Sequence, residues 1–303
     1  MTHLIRRSAA RPIAGALVLC AAALFFSVAS DACEGRIVRV ADGADVPFAE
    51  FRRKAAAARV VALGERHGVA AHPRAAACLL SELVQDGAPV SLAVEHIASD
   101  RQTIVEAVRA ANPETPDRLG VALRWWETGW PAWKVYAPLF AAAWRHRLPV
   151  IAADRPPGRP LPPAAEVVAE LGPGGRAVLA SWTKSLRQAR CGLGDAAELR
   201  RAAVAQAARD LHFATFVRAG GDRVLFFAGR AHVRLDRGLS ERISIAPDKL
   251  LSVALQETAT GDGPVDVRAR LADANGRFDF VWLIGETRDQ PVCARLRRLG
   301  LLP

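Results

Sequence analysis

Two copies of a Gly-x-x-His pattern are the feature of this sequence best suited to chemistry. The first spans Gly64–His67 and the second Gly229–His232, and each follows a short apolar run of strand length. Glycine permits a sharp exit from a strand, so each imidazole is expected to turn back over the end of the sheet. There it can bind a metal or exchange a proton. The simpler alternative is that each histidine only caps its strand through a backbone hydrogen bond.

Two glutamates accompany these histidines. Glu65 lies inside the first pattern, and Glu95 follows the apolar run Val90–Val94. For a hydrolase, His67, Glu95 and His232 are candidate ligands of zinc or manganese, and Glu65 is the candidate base for a metal-bound water. The same residues could instead surround a haem, with His67 and His232 as candidate iron ligands.

Other functions are less compatible with the sequence. Ester hydrolysis without a metal, by histidine and glutamate as general acid and base, is a third and weaker alternative. No G-x-S-x-G turn is present, so a serine nucleophile is not expected. The formal net charge is +10, but the basic residues are spread along the chain, so nucleic-acid binding is not expected either.

His67 and His232 come close together only if the strands that precede them end at the same edge of one sheet. Alternating strands and helices produce such a sheet. The predicted strands are Arg59–Leu63, Val90–Val94, Pro149–Ala152, Val224–Ala228, Leu250–Leu255 and Phe278–Leu283. The predicted helices are Pro73–Gln85, Arg101–Ala111, Trp133–His146, Arg176–Gln188 and Ala196–Ala219. This alternation predicts an α/β fold with a mainly parallel sheet and helices on both faces. A turn at Thr260–Pro264 predicts that the two late strands pair antiparallel.

Ligands of open parallel sheets bind outside the carboxyl ends of the strands, which selects the edge that carries both Gly-x-x-His patterns. Further ionisable residues follow other predicted strands at Asp154-Arg155 and Gln256-Glu257. We therefore expect one cleft at this edge.

The first residues have the pattern of a secretory signal, over 1–29, ahead of a single domain over 30–303. Arginines precede an apolar run, Ile13–Phe26, that is shorter than the roughly 20 residues of a membrane span. Cleavage after Ala29 and after Ala32 are both open, and lipidation is conceivable only at Cys33. The prediction is general secretion to the periplasm or the outer membrane.

Four cysteines remain after removal of the signal segment: Cys33, Cys78, Cys191 and Cys293. In an oxidising compartment they are expected to form disulfides, and three pairings are possible.

Residues along nearly the whole mature chain carry a family resemblance. They are Leu63–His67, His72, Glu95, Gln102, Gly129-Trp130, Trp133, Tyr136, Leu148–Arg155, Cys191, Gln206, Arg209-Asp210, Ala228–Arg234, Phe278–Trp282 and Cys293. In this order they resemble the ChaN-like haem-binding proteins of the Tiki superfamily, with Tiki metalloproteases and erythromycin-esterase-like hydrolases as distant relatives.

The resemblance implies a cell-envelope protein that binds haem for iron uptake. The expected partners are haem and either an outer-membrane haem receptor or a second copy of the chain across the cleft. Candidate iron donors are His67, Tyr136 and His232, and Arg155 and Arg234 are candidates to pair with the haem carboxylates.

Two further expectations follow. The resemblance implies a disulfide between Cys191 and Cys293, because both match family positions. Asp210 is expected to face the sheet, where it would orient His232 or an arginine.

Four residues depart from the family pattern beside these candidates. Gly68 replaces a small polar residue, His96 and Phe213 stand where methionine is usual, and Asp154 replaces asparagine. The departures concern the ligand set more than the fold.

Overall fold

The computed structural model describes residues 33–85, 87–237, 239–259, 271–287 and 292–302. The predicted signal segment, both predicted cleavage points and the turn at Thr260–Pro264 lie outside these residues. Within the described residues, no helix is both long and apolar enough to cross a membrane.

Eight strands form one sheet, in the order β2-β1-β8-β7-β3-β6-β4-β5. They are β1 (Arg36–Arg39), β2 (Asp45–Val46), β3 (Val60–Glu65), β4 (Ser91–Ala98), β5 (Val150–Asp154), β6 (Val224–Gly229), β7 (Leu250–Ala259) and β8 (Phe280–Thr287). All six predicted strands are confirmed, each starting within two residues of its predicted start. The strands β1 and β2 escaped prediction because they are only four and two residues long.

The sheet is mainly parallel, as predicted, from β8 through β7, β3, β6 and β4 to β5. The prediction that the two late strands pair antiparallel was wrong, because β7 and β8 are parallel. About twenty residues separate Ala259 from Phe280. That length allows a crossover connection, whereas an antiparallel hairpin needs only a tight turn. The antiparallel strand is instead β1, which pairs with both β2 and β8.

Helices alternate with these strands. They are α1 (Phe48–Ala57), α2 (Ala71–Val84), α3 (Gln102–Ala111), α4 (Asp117–Ala122), α5 (Trp133–Arg145), α6 (Ala164–Glu170), α7 (Gly175–Ala189), α8 (Ala196–Ala219), α9 (Leu239–Arg242) and α10 (Val292–Arg298). The five predicted helices are confirmed. The bounds of α8 match at both ends. Its start is fixed by Asp195, which accepts a hydrogen bond from the backbone N–H of Glu198 at 2.7 Å.

Apolar side chains on both faces of the sheet form the core. Successive residues of β3 point in opposite directions, so Val61 and Leu63 join the cluster that contains α2 and α5. Val60 and Ala62 join the cluster that contains α8. Because β3 is buried on both faces, it reads as a continuous apolar run, and its only ionisable residue, Glu65, comes at its carboxyl end.

Two disulfides join the cysteines of the domain. Cys191 pairs with Cys293, as the resemblance implied, and ties the connection between α7 and α8 to α10. Cys33 pairs with Cys78 on α2. A sulfur engaged in a disulfide cannot carry a lipid thioether, so this pairing is incompatible with lipidation at Cys33.

Candidate functional site

The two Gly-x-x-His segments cross at the carboxyl ends of β3 and β6. The backbone N–H of Arg230 donates to the carbonyl of Glu65 at 2.9 Å. At Gly64, a Cβ would approach Cγ2 of Val233 to 2.5 Å and the Cα of Arg230 to 2.8 Å. Glycine is therefore required here for close approach of two backbone segments.

The carboxylate of Glu65 is the centre of the first cluster. Glu65 is only 2% exposed. Its Oε1 lies 2.7 Å from Nδ1 of His67 and 2.7 Å from Nε2 of His96, and it accepts a hydrogen bond of 3.1 Å from the hydroxyl of Tyr136. Its Oε2 is buried without a hydrogen-bond partner among the described residues. Burial opposes ionisation, but the hydrogen bonds with His67 and His96 outweigh it and lower the pKa of Glu65.

His67 is the part of this cluster that reaches the cleft. Its side chain is 39% exposed, and its ring packs edge-on against Trp130 with centroids 4.8 Å apart. Burial favours the neutral ring, but the hydrogen bond with Glu65 and the charge of Glu95 outweigh it and raise the pKa of His67. The Nδ1 atom faces Glu65, whereas Nε2 lies beside Gly229, 3.0 Å from where a Cβ would stand.

The carboxylate of Glu95 belongs to a second cluster. It accepts hydrogen bonds from the backbone N–H of Gly229 at 2.6 Å and from Arg209 at 2.8 Å. Arg209 also holds both oxygens of Asp154 at 2.8 Å. Burial opposes ionisation of Glu95, but the charges of His232 and Arg209 outweigh it and lower its pKa to about 2. Both oxygens of Glu95 are thus already engaged by the protein.

His232 lies between two carboxylates. Its Nδ1 is 2.7 Å from Oδ1 of Asp210, as expected from the sequence, and its Nε2 is 3.4 Å from Oε1 of Glu95. The indole N–H of Trp182 donates to the other oxygen of Asp210 at 2.8 Å. The ring is buried, and both of its nitrogens face the protein rather than the cleft.

The remaining candidate donors and cations are placed differently. Tyr136 is fully buried on α5, where burial and the charge of Glu65 raise its pKa. Arg155 donates to backbone carbonyls at residues 159 and 160 and borders a smaller cavity of about 350 Å³. Arg234 borders the main cleft and pairs with Asp236.

The main cleft has a volume of about 710 Å³ and opens directly over the strand ends. Its lining includes Glu65, Arg66, His67, Gly229, Arg230, His232, Arg234 and Arg277. Four of these residues are arginines, and Arg66, Arg234 and Arg277 each pair with an acidic residue. Trp130 lines the smaller cavity and touches His67, which therefore lies between the two spaces.

The comparisons with known proteins give a match to one family model and a similar fold. Residues 51–159 match the family model described as haem-binding uptake, Tiki superfamily, ChaN. The predicted family resemblance is confirmed. A solved structure that reports cofacial haem binding to ChaN of Campylobacter jejuni is similar, with a TM-score of 0.63 and 17% identity over 82% of this chain and 96% of that chain. This likeness shows a common fold.

A weaker likeness is to an erythromycin esterase, EreC, with a TM-score of 0.42 and 13% identity over 86% of this chain and 99% of that chain. A TM-score of this size supports no further argument. No match was found among the curated proteins.

The site contains residues that were not predicted as functional. His96 and Glu95 are neighbours on β4, but they point to opposite faces, so His96 reaches Tyr136 while Glu95 reaches Arg209. His96 was visible in the sequence only as a departure from the family's methionine. Arg209 had no signal beyond its match to the family pattern, because its partners come from β4 and β5, distant in the sequence.

His72, in the first turn of α2, is buried beside the cluster. Its Nδ1 accepts a hydrogen bond from the backbone N–H of Arg66 at 3.1 Å, and its Nε2 lies 3.8 Å from a carboxylate oxygen of Glu257. Burial lowers the pKa of His72 to about 4. The folded protein therefore holds this ring neutral.

The close approach at Gly64 leads to a first prediction. Gly64→Ala should lower the free energy of unfolding by about 1–3 kcal/mol, because the new methyl group must displace the backbone of Arg230. Gly174→Ala is the matched control, since among the described residues no atom beyond its two chain neighbours lies within 4 Å of its added Cβ. It should change stability by less than about 0.5 kcal/mol. Urea unfolding measures both. Equal effects would contradict the required close approach.

The buried His72 leads to a second prediction. Because its folded pKa lies below its unfolded value of 6.5, its contribution to stability is complete above that value and is lost as the pH falls towards 4. Between pH 7 and pH 5 this loss amounts to about 2 kcal/mol. His72→Asn keeps an acceptor for Arg66 but does not titrate, so it should lose less stability over the same interval. Urea unfolding at pH 7 and pH 5 measures both proteins. Equal losses of stability in the wild type and the variant would contradict the prediction.

Proposed function

We propose that this chain is an exported haem-binding protein that handles haem in the cell envelope for iron uptake, with Nε2 of His67 as the iron ligand. The observation that carries the proposal is the orientation of His67. Its Nδ1 is held by the carboxylate of Glu65, while its Nε2 lies beside Gly229, which lines the cleft. Histidines that bind metals almost always donate their other ring N–H to such a partner.

The other predicted donors are less suitable. His232 has both nitrogens facing carboxylates, and Tyr136 is buried with its hydroxyl donating to Glu65. Either would have to break an existing contact and move before it could reach a ligand in the cleft. His67 already borders the cleft, with 39% of its side chain exposed.

The dimensions of the cleft and the arginines along it also support haem. A volume of about 710 Å³ falls within the roughly 300–1,000 Å³ of typical small-molecule sites. Arg230, Arg234 and Arg277 border it, and guanidinium groups pair well with carboxylates such as those of haem. Arg155, also predicted for this role, borders the smaller cavity instead.

Glu65 has a defined task in this proposal. By accepting the N–H of Nδ1 it fixes the tautomer of His67 that presents a lone pair at Nε2. His96 and Tyr136 also contact Oε1 of Glu65, so the carboxylate stays ionised and in place. Bound haem would be cargo, and these residues would bind and orient it.

The hydrolase alternative receives less support. Its predicted metal ligands were His67, Glu95 and His232, with Glu65 as the base. Glu95 would have to release Arg209 and the N–H of Gly229, and His232 would have to turn away from Asp210. The arrangement therefore favours binding over metal-assisted hydrolysis.

Export is proposed from the amino-terminal sequence and from the two disulfides. Disulfides persist in oxidising compartments, and the periplasm is one of these. A haem receptor and a second copy of the chain at the cleft remain predicted partners.

A haemin titration of the mature protein, followed by visible absorption, tests the function. Binding should saturate, His67→Ala should weaken it at least tenfold and alter the spectrum, and Glu65→Gln should weaken it by about 10–100-fold. His146→Ala, at the end of α5, should leave it unchanged. Absence of saturation with the wild-type protein would refute haem binding. A spectrum altered by His232→Ala or Tyr136→Phe but not by His67→Ala would refute the assigned ligand.

The contact between Trp130 and His67 generates a separate prediction. Trp130→Ala should leave the fold intact yet weaken haem binding by about threefold to tenfold, because the ring packs against both His67 and His96. Trp126→Ala is the control, since that ring is 66% exposed, and its affinity should stay within twofold of wild type. The same titration measures both, and unchanged affinity of the Trp130 variant would count against the contact.

A further inference from the structure

The cluster around Glu65 has the composition of a second kind of site. We propose that Glu65, His67 and His96 bind a divalent first-row metal ion of the zinc class in the haem-free protein. A carboxylate oxygen of Glu65 and one ring nitrogen of each histidine all lie within 4.8 Å of one another. Two imidazoles and one carboxylate are a donor set that zinc adopts in proteins, with a fourth position left open.

The unpartnered oxygen of Glu65 is an independent observation that points to a ligand. A carboxylate offers about four lone-pair sites on two oxygens. Here His67, His96 and Tyr136 all contact Oε1, while the buried Oε2 has no hydrogen-bond partner among the described residues. An unpaired buried acceptor is unfavourable, and a cation at this carboxylate would remove that penalty.

His96 is held in position for this role. Its ring is buried, stacks on Phe227 with centroids 5.6 Å apart, and lies 4.3 Å from the ring of Tyr136. Tyr136 in turn donates to Glu65. The ligands are therefore oriented by packing and by an outer hydrogen bond, which is the usual support of a metal site.

Such a metal would compete with haem, a consequence that rests on the proposed function. A neutral imidazole carries one N–H and one lone pair. The nitrogen of His67 that faces Glu65 is Nδ1. A metal bound there places the proton on Nε2, which then has no lone pair for iron. The ring of His67 would thus bind either the metal or the haem iron, but not both at once.

Titration of the haem-free protein with Co²⁺, followed by its visible absorption bands, tests the metal site. The wild-type protein should bind one equivalent, and His96→Met should weaken binding at least tenfold. His146→Met is the matched control and should bind as the wild type does. Circular dichroism checks folding, and His96→Gln, which keeps a donor for Glu65, replaces the first variant if that one does not fold. Undiminished cobalt binding without His96 would overturn the site.

Competition is measured by repeating the haemin titration with saturating Zn²⁺. Zinc should raise the haemin concentration for half-saturation at least tenfold in the wild type and have little effect in His96→Met. Haem affinity unaffected by zinc, in protein that binds cobalt, would overturn the competition. If haem binds but cobalt does not, only the metal site fails; if cobalt binds but haem does not, the proposed function fails instead.

Discussion

The carboxylate of Glu65, buried at the end of a central strand, is the group on which the rest of the site depends. A buried charge is tolerable only when hydrogen bonds compensate it, and three side chains from three elements do so. His67 follows β3 directly, His96 comes from β4 and Tyr136 from α5. Their convergence orients the one histidine of the group that reaches the cleft.

The fold supplies this convergence through its backbone. Parallel strands β3, β6 and β4 end at the same edge, so the residues that follow them meet there without long connections. Gly64 lets the segment after β6 pass directly over β3. Glu95 then joins β4 to this segment through the N–H of Gly229 and reaches α8 through Arg209. The carboxylate of Glu95 thus links β4, β6 and α8 beside the cluster around Glu65.

The sequence predicted the sheet edge well, because strand ends and the glycines after them are local features. The α/β class and the six longer strands could be anticipated from these features, and the family resemblance implied the Cys191–Cys293 disulfide. The direction of β8 could not, since it depends on the path of a long connection rather than on a turn motif. Ligand roles were harder still. Sequence spacing put His67 and His232 on equal terms. Only the folded arrangement distinguishes the partly exposed ring of His67 from the ring of His232, which is buried between two carboxylates.

The most direct test of this account is the iron–imidazole stretching vibration of the ferrous haem complex, measured by resonance Raman spectroscopy. The wild-type protein should show this band, and Glu65→Gln should shift it to lower frequency, because the amide is a weaker acceptor for the N–H of Nδ1. His67→Ala should lack the band. A band that persists without His67, or one that does not respond to Glu65→Gln, would contradict the assignment of His67 as the ligand held by Glu65.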